Sequence, residues 1–322
     1  MQQFETPEPV DLTVRNRSGW IEITAHDAPT TTVDLVALTP DSEDLVQGTR
    51  VEATAVEGSQ RVLVEVPEDS GGVRWLARGS GVGFRWNSRG YGVGVRIQVP
   101  PASRLHIQAA SADVRAEGRY GKSRLHTASG DVSLDMVAGN AELETSSGEV
   151  RVEQVDGALR AYTASGDIQI GRVGGTLHLR SASGSQTVAR VDGSAECESA
   201  SGDIHVGQAH GTFMARAASG DIVVRESHDA LQLQSQSGDL EVRWLQQGQA
   251  SLQSISGDIL VGIAAGSRVA VNARTRSGDV ESEIPLSEMP AGDDTGPLVD
   301  LRAHAISGDV RIVRAHRAAS AV

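Results

Sequence analysis

Aliphatic residues in this chain alternate with polar ones in short runs, and the runs come back every 18 residues. The period is marked by a Ser-Gly-Asp-like triplet beginning at Ser111, Ser129, Ser147, Ser165, Ser183, Ser201, Ser219 and Ser237. Three looser repeats follow at Ser256, Ser277 and Ser307. Three positions after the Ser stands an aliphatic, as in Val132, Val150, Ile168, Ile204 and Ile222. Two further on comes a second, as in Leu134, Val152, Ile170, Val206 and Val224. Alternating β-branched residues over so short a run predict a strand with one buried face. Another apolar residue follows at Val137, Val155, Val173 and Val191, and then a turn glycine at Gly139, Gly157, Gly175, Gly193 and Gly211. A second strand returns toward the next triplet with Ala141, Leu143 and Thr145 facing inward. Its counterparts are Leu177, Leu179 and Ser181, then Ala195, Cys197 and Ser199, then Phe213, Ala215 and Ala217.

A fixed short period is the mark of a solenoid, in which each repeat buries its apolar face against its neighbours only. The expected fold is all-β: a parallel β-helix, right-handed, spanning 101–313, with an N-terminal β region or cap over 1–100 and a tail at 314–322. None of the prolines lies between Pro101 and Pro285, as central strands require. At the usual strand spacing, the eleven triplet coils predict a rod of about 50 Å. Leu12, Val14, Ile21 and Ile23 stand at the array's offsets from Ser18, which reads as a divergent first coil or as a strand pair in the cap. Residues 281–300 hold six acidic residues and no basic ones. They read as a solvated insertion before a last coil at Leu301–Ile312.

Composition narrows the function classes. The net charge of −13 argues against a nucleic-acid partner, because phosphate contact needs a clustered positive surface. Cys197, the single cysteine, excludes an intrachain disulfide and suits a reducing compartment. It falls in a core column, where a packed, unreactive thiol is expected. The opening MQQFETPEPV has neither a basic nor an apolar signal region, and no stretch is long and apolar enough to span a membrane. The expectation is a soluble, cytoplasmic chain.

The repeats A-S-G-D-I-x-V, each followed by an A-x-L-x-[TS] return, resemble the bacterial putative-adhesin β-strand-repeat family of domains of unknown function. The likeness takes in FETPEPVDLTV, the stretch GVGVRIQVPPASRLHIQAASADVRAEG and the coils through SGDVRIV. It implies a β-solenoid and brings no catalytic residues with it.

Three places invite a site. The Asp column, with Asp203, Asp221 and Asp239 at its centre, stacks carboxylates about 5 Å apart, and these repel unless solvated or bridged by a cation such as calcium. The plainer expectation is turn chemistry, with a left-handed Gly between Ser and Asp side chains that bond nearby amides. His210 and His228, one period apart, are set to stack near Asp192 as solvated turn residues or as a weak metal site. The loop 70–94 sets Arg74, Arg78, Arg85 and Arg89 among Trp75, Phe84, Trp86 and Tyr91 without an acid, a composition suited to docking a partner. The outward columns are mixed and polar and carry no aromatic ladder, against a carbohydrate-active enzyme. The leading expectation is a non-enzymatic interaction scaffold without a cofactor, binding a protein partner or itself. The alternatives are a self-assembling structural β-helix and, less favoured, a carbohydrate-active β-helix enzyme.

Overall fold

The computed structural model of the chain describes residues 1–56, 59–67, 92–284 and 296–315. Apart from a short helical turn at Pro40–Gly48, the described elements are strands, joined in one sheet that winds around a narrow apolar interior. Each 18-residue coil contributes two strands, as in Ala141–Thr145 and Val150–Val155. Each pairs in parallel with its counterpart one period away: Leu143 with Ala161, Val150 with Ile168. The second strand bends after its second inward residue, so Val152 and Val155 both point inward although two residues separate them. This bend turns 18 residues into a closed loop, and the sequence shows it as the shift from spacing two to spacing three.

The interior is built as the columns predict. Val150, Val152 and Val155 are buried, as are Leu143 and Ala161 of the return strand. Cys197 lies fully buried among them, and burial pushes its thiol up to about 12, far from thiolate chemistry at neutral pH. Phe213 fills a place held by Ala195 in one neighbouring coil and Leu231 in the other. Small hydroxyl residues share the inward columns, among them Thr145, Ser181 and Ser227, and one larger polar side chain joins them. Gln186 is fully buried where other coils carry Val, Ile or Leu, and its side-chain amide donates to the Glu198 carbonyl at 2.6 Å.

At both ends, the order of layers departs from the order of the chain. Strand Val10–Ala25 runs through both limbs of a single layer. It pairs on one side with Arg104–Tyr120 and on the other with Ser59–Glu65 and Val93–Val99. The Ser18 segment is therefore a coil in register with the array, with Ser18 opposite Ser111, and it is the second layer rather than the first. The sheet thus continues past residue 101 into the N-terminal region, adding two layers to the eleven triplet coils for a stack of about 60 Å. Antiparallel strands Thr30–Ala37 and Arg50–Val56 cover the outermost layer, with Gln2–Glu5 added to the first of them. They blunt the edge that a parallel stack would otherwise present.

The C-terminal end is threaded in the same way. Leu298–Ser307 pairs with Gly248–Ser256 on one side and Arg268–Ser277 on the other. Val310–Ala315 likewise lies between Ile259–Ala264 and Val280–Ser282. The coil at Leu301–Ile312, expected to be terminal, is thus the penultimate layer, and the chain doubles back to insert it. The short connection at 265–267 steps past one layer, from Ile259–Ala264 to Arg268–Ser277, and the longer one at 283–297 brings the chain back into the layer between them.

Threading sets an unusual distribution of local stability. Chain ends ordinarily fray, because few contacts hold them. Here residues 10–25 and 298–312 should exchange their backbone amides as slowly as the central coils, and more slowly than 268–282. Native-state hydrogen exchange read by mass spectrometry checks this; faster exchange at 10–25 than at 268–282 would contradict the layer order.

Candidate functional site: turn ladders and an imidazole corner

The Ser-Gly-Asp turns form one edge of the solenoid. Their glycines are required by stacking more than by backbone conformation. A β-carbon on Gly148 would lie inside contact distance of the Gly130 carbonyl oxygen, and Gly166 and Gly184 stand in the same relation to the turns before them. Only later triplet glycines, Gly220, Gly257, Gly278 and Gly308, have φ between 136° and 151°. The expectation of a left-handed Gly throughout is corrected accordingly. In the earlier turns the hydroxyl that matters is also not the triplet Ser. It belongs to the residue three before the glycine, whose buried oxygen accepts the Gly N–H: Thr145 from Gly148 at 3.0 Å, Thr163 from Gly166 at 2.9 Å, Ser199 from Gly202 at 2.8 Å.

Ala217 interrupts that device. With no hydroxyl to accept it, the Gly220 N–H turns to the Ser237 carbonyl at 3.1 Å, and the strand runs on through Ser219. Later turns keep the extended form although Ser235 and Ser254 carry hydroxyls. The Gly238 N–H bonds the Ser256 carbonyl and the Gly257 N–H bonds that of Ser307. Each layer templates the next because a ladder bond needs a partner in both.

The Asp column is a ladder of carboxylate-to-amide hydrogen bonds. Asp113 accepts from the Asp131 N–H at 3.0 Å, and Asp131 from the Glu149 N–H at 2.8 Å. A longer unbroken run links Asp203, Asp221, Asp239, Asp258, Asp309 and Asp279, each accepting from the next at 2.8–2.9 Å. It follows the threaded layer order. Glu149 breaks the ladder because its carboxylate, one methylene longer, reaches Arg151 and Gln169 instead. Ser185 breaks it by lacking a carboxylate. Amide donors supply the compensation that the calcium reading assigned to a cation. Among the described residues, no three His, Cys, Asp or Glu side chains are gathered to hold a metal ion.

The second corner of the coil gathers the histidines. Their rings stack at 4.5 Å between centroids and 12° between planes, and Trp244 meets His228 edge-on at 5.1 Å. The nitrogens face different neighbours. His228 Nδ1 lies 2.9 Å from Gln246 and its Nε2 3.7 Å from Glu226, while His210 Nδ1 lies 3.8 Å from Asp192. Burial alone would raise the Asp192 carboxyl, but hydrogen bonds from Arg172 and Arg190, each 2.7 Å away, hold it below the usual carboxylate range. The pair is half-buried in a polar network rather than solvated, and its nitrogens do not converge on one point.

Residues Arg74, Trp75, Arg78, Phe84, Arg85, Trp86, Arg89 and Tyr91 lie outside the described residues. The described feet of their segment, Val66 and Gly92, flank the two limbs of the outermost layer. In the triplet coils the corresponding connection is a short Ser-Gly-Asp-like segment.

The family comparison fits this geometry. Residues 6–176 and 174–313 match the Toastrack DUF4097 family, and the chain belongs to it. Its fold is a β-solenoid and its function is unassigned. One solved structure of similar extent is that of a putative cell adhesion protein from Clostridium sporogenes. It is 9% identical, with 97% of this chain and 98% of that one covered and a TM-score of 0.22. No match was found among curated proteins.

The ladder predicts a specific order of variants. Asp221→Asn keeps the acceptor and removes repulsion between stacked charges, so its thermal midpoint should equal or exceed that of the parent chain. Asp221→Ala should cost roughly 1 kcal/mol. Thr163→Val strands a buried N–H and should cost about 1–3 kcal/mol. Thermal unfolding with added calcium and with chelator reads both effects; a midpoint that calcium raises in the parent but not in Asp221→Asn would restore the cation reading.

Proposed function

We propose that this chain is a non-enzymatic β-solenoid scaffold whose contact element for a protein partner is the arginine and aromatic segment of residues 70–94. The observation that carries the reading is the position of that segment's feet, where it takes the place of a turn in the outermost layer. A solenoid edge made otherwise of short, self-satisfied turns is thereby opened at one point to a long connection. The composition of that connection, Arg beside aromatics, is the one enriched at the energetic centres of protein interfaces. Support also comes from the turns, where most of the stacked carboxylates are occupied in hydrogen bonds to the amides of the next layer.

A second reading, self-association, is favoured by the strand Arg268–Ser277. Among the described residues it is paired on one side only, so its other edge offers backbone groups to a second copy.

The test compares the parent chain with a variant lacking residues 74–91. Circular dichroism should show both folded, since the deletion leaves every strand of the described ladders in the chain. A protein captured from native lysate by the parent alone, and bound again after purification, supports the loop reading. Equal capture by both overturns it, and concentration-dependent assembly of both chains in sedimentation favours self-association.

A further inference from the structure

The outward face of the first limb changes character at the capped end. Four successive layers contribute to an open cavity of about 520 Å³, lined by Asp11, Arg15, Arg61, Leu63, Arg104, Lys122 and Arg124 among others. Register explains the grouping. Arg61 and Arg104 flank Asp11 on either side, and Leu63, Thr13, His106 and Arg124 form the neighbouring row. The cavity wall is mostly carbon, with Leu63 half-buried at its floor.

Charge in this cavity is lopsided. Arg15 pairs with Glu65 at 2.8 Å, Arg104 with Asp11 at 3.2 Å and Arg124 with Glu142 at 2.8 Å. Arg61 and Lys122 have no carboxylate partner among the described residues, although the chain as a whole carries −13. His106, set between them, responds to the same field: burial, then Arg124 and Arg15, lower its pKa, so the imidazole is neutral at pH 7. Acidic residues close the row on both sides, with Glu52 opposite Leu63 and Glu142 opposite Arg124. A long polyanion laid along the axis would run into those carboxylates within a few layers of about 4.8 Å.

We propose that this cavity binds a small amphiphilic anion along the row from Arg61 to Lys122, which spans three strand spacings of about 4.8 Å, with its oxyacid headgroup at one of these two cations and an apolar body against Leu63. The volume suits a ligand of drug size, and a carbon wall with few convergent polar groups is the usual build of such sites. The bound headgroup supplies the negative charge that its cation lacks; His106 lies 3.3 Å from Gln108 through Nε2, which leaves its other ring nitrogen for the ligand.

Isothermal titration with octanoate, octyl phosphate, octanamide and inorganic phosphate tests the assignment. One saturable site is expected for octanoate or octyl phosphate, and whichever binds more tightly identifies the headgroup as carboxylate or phosphate. The double variant Arg61→Gln, Lys122→Gln should weaken that binding about tenfold or more. Arg160→Gln, further along the same face, should leave it unchanged. Both variants should keep the parent's thermal midpoint, since these side chains are exposed. Absence of binding by either octyl anion, equal affinity for octanamide, equal affinity for inorganic phosphate, or full affinity in the double variant would each overturn the proposal.

Discussion

Backbone passes so close to backbone at the Ser-Gly-Asp edge that no side chain fits between one turn and the next. Gly148 and Gly166 each lie against the carbonyl of the glycine one layer away, and a β-carbon there would push the layers apart. That close approach keeps every coil at the spacing parallel hydrogen bonds require. It also brings each Asp carboxylate within reach of the next Asp amide, and it buries the Gly N–H that Thr145 or Thr163 must satisfy. The inward columns depend on it as well. Valine over valine and alanine over leucine make a continuous interior only if the layers stay in register.

The stack is cooperative in a local, one-dimensional sense. Loss of a single hydroxyl at Ala217 converts one turn, and the converted form then passes from layer to layer through ladder bonds. The unbroken carboxylate run lies mostly in the same half, from Asp203 onward, so two separate devices change character near one place in the chain. At the ends, the doubled-back strands Val10–Ala25 and Leu298–Ser307 place segments near the termini between two partners each. A chain built this way holds its outer layers by strands that are themselves held on both sides.

Outside the core, the lattice sets positions and leaves chemistry free. The outward columns carry cations without a carboxylate partner among the described residues near the capped end, arginine–carboxylate pairs through the middle and stacked imidazoles beside a tryptophan further along. Because neighbours in a column are fixed in register, a substitution at one layer meets known partners above and below. This explains how one repeat supports several surfaces. It also explains why the repeat by itself says so little about function.

Much of the architecture was legible from residues alone. Period, strand limbs, inward columns and the buried place of Cys197 all follow from alternation and from the recurrence of Ser111 through Ser237, because a solenoid repeats its local physics in every coil. The Asp column was visible too, but its use was not. Whether a carboxylate meets a cation or an amide depends on where the neighbouring layer's backbone lies, and one-letter spacing does not record that. The hydroxyl at Thr145 was readable as a core position and not as the acceptor for Gly148. The cavity of Arg61, Arg104 and Lys122 was hidden for a deeper reason: its lining runs from Asp11 to Arg124, segments more than 100 residues apart in sequence, joined by threading at the end of the stack. Local pattern determined each coil of this protein. Tertiary structure decided the order in which the end coils stack, since connections as short as 100–103 and 265–267 step past a layer there and their length does not distinguish them from turns that do not.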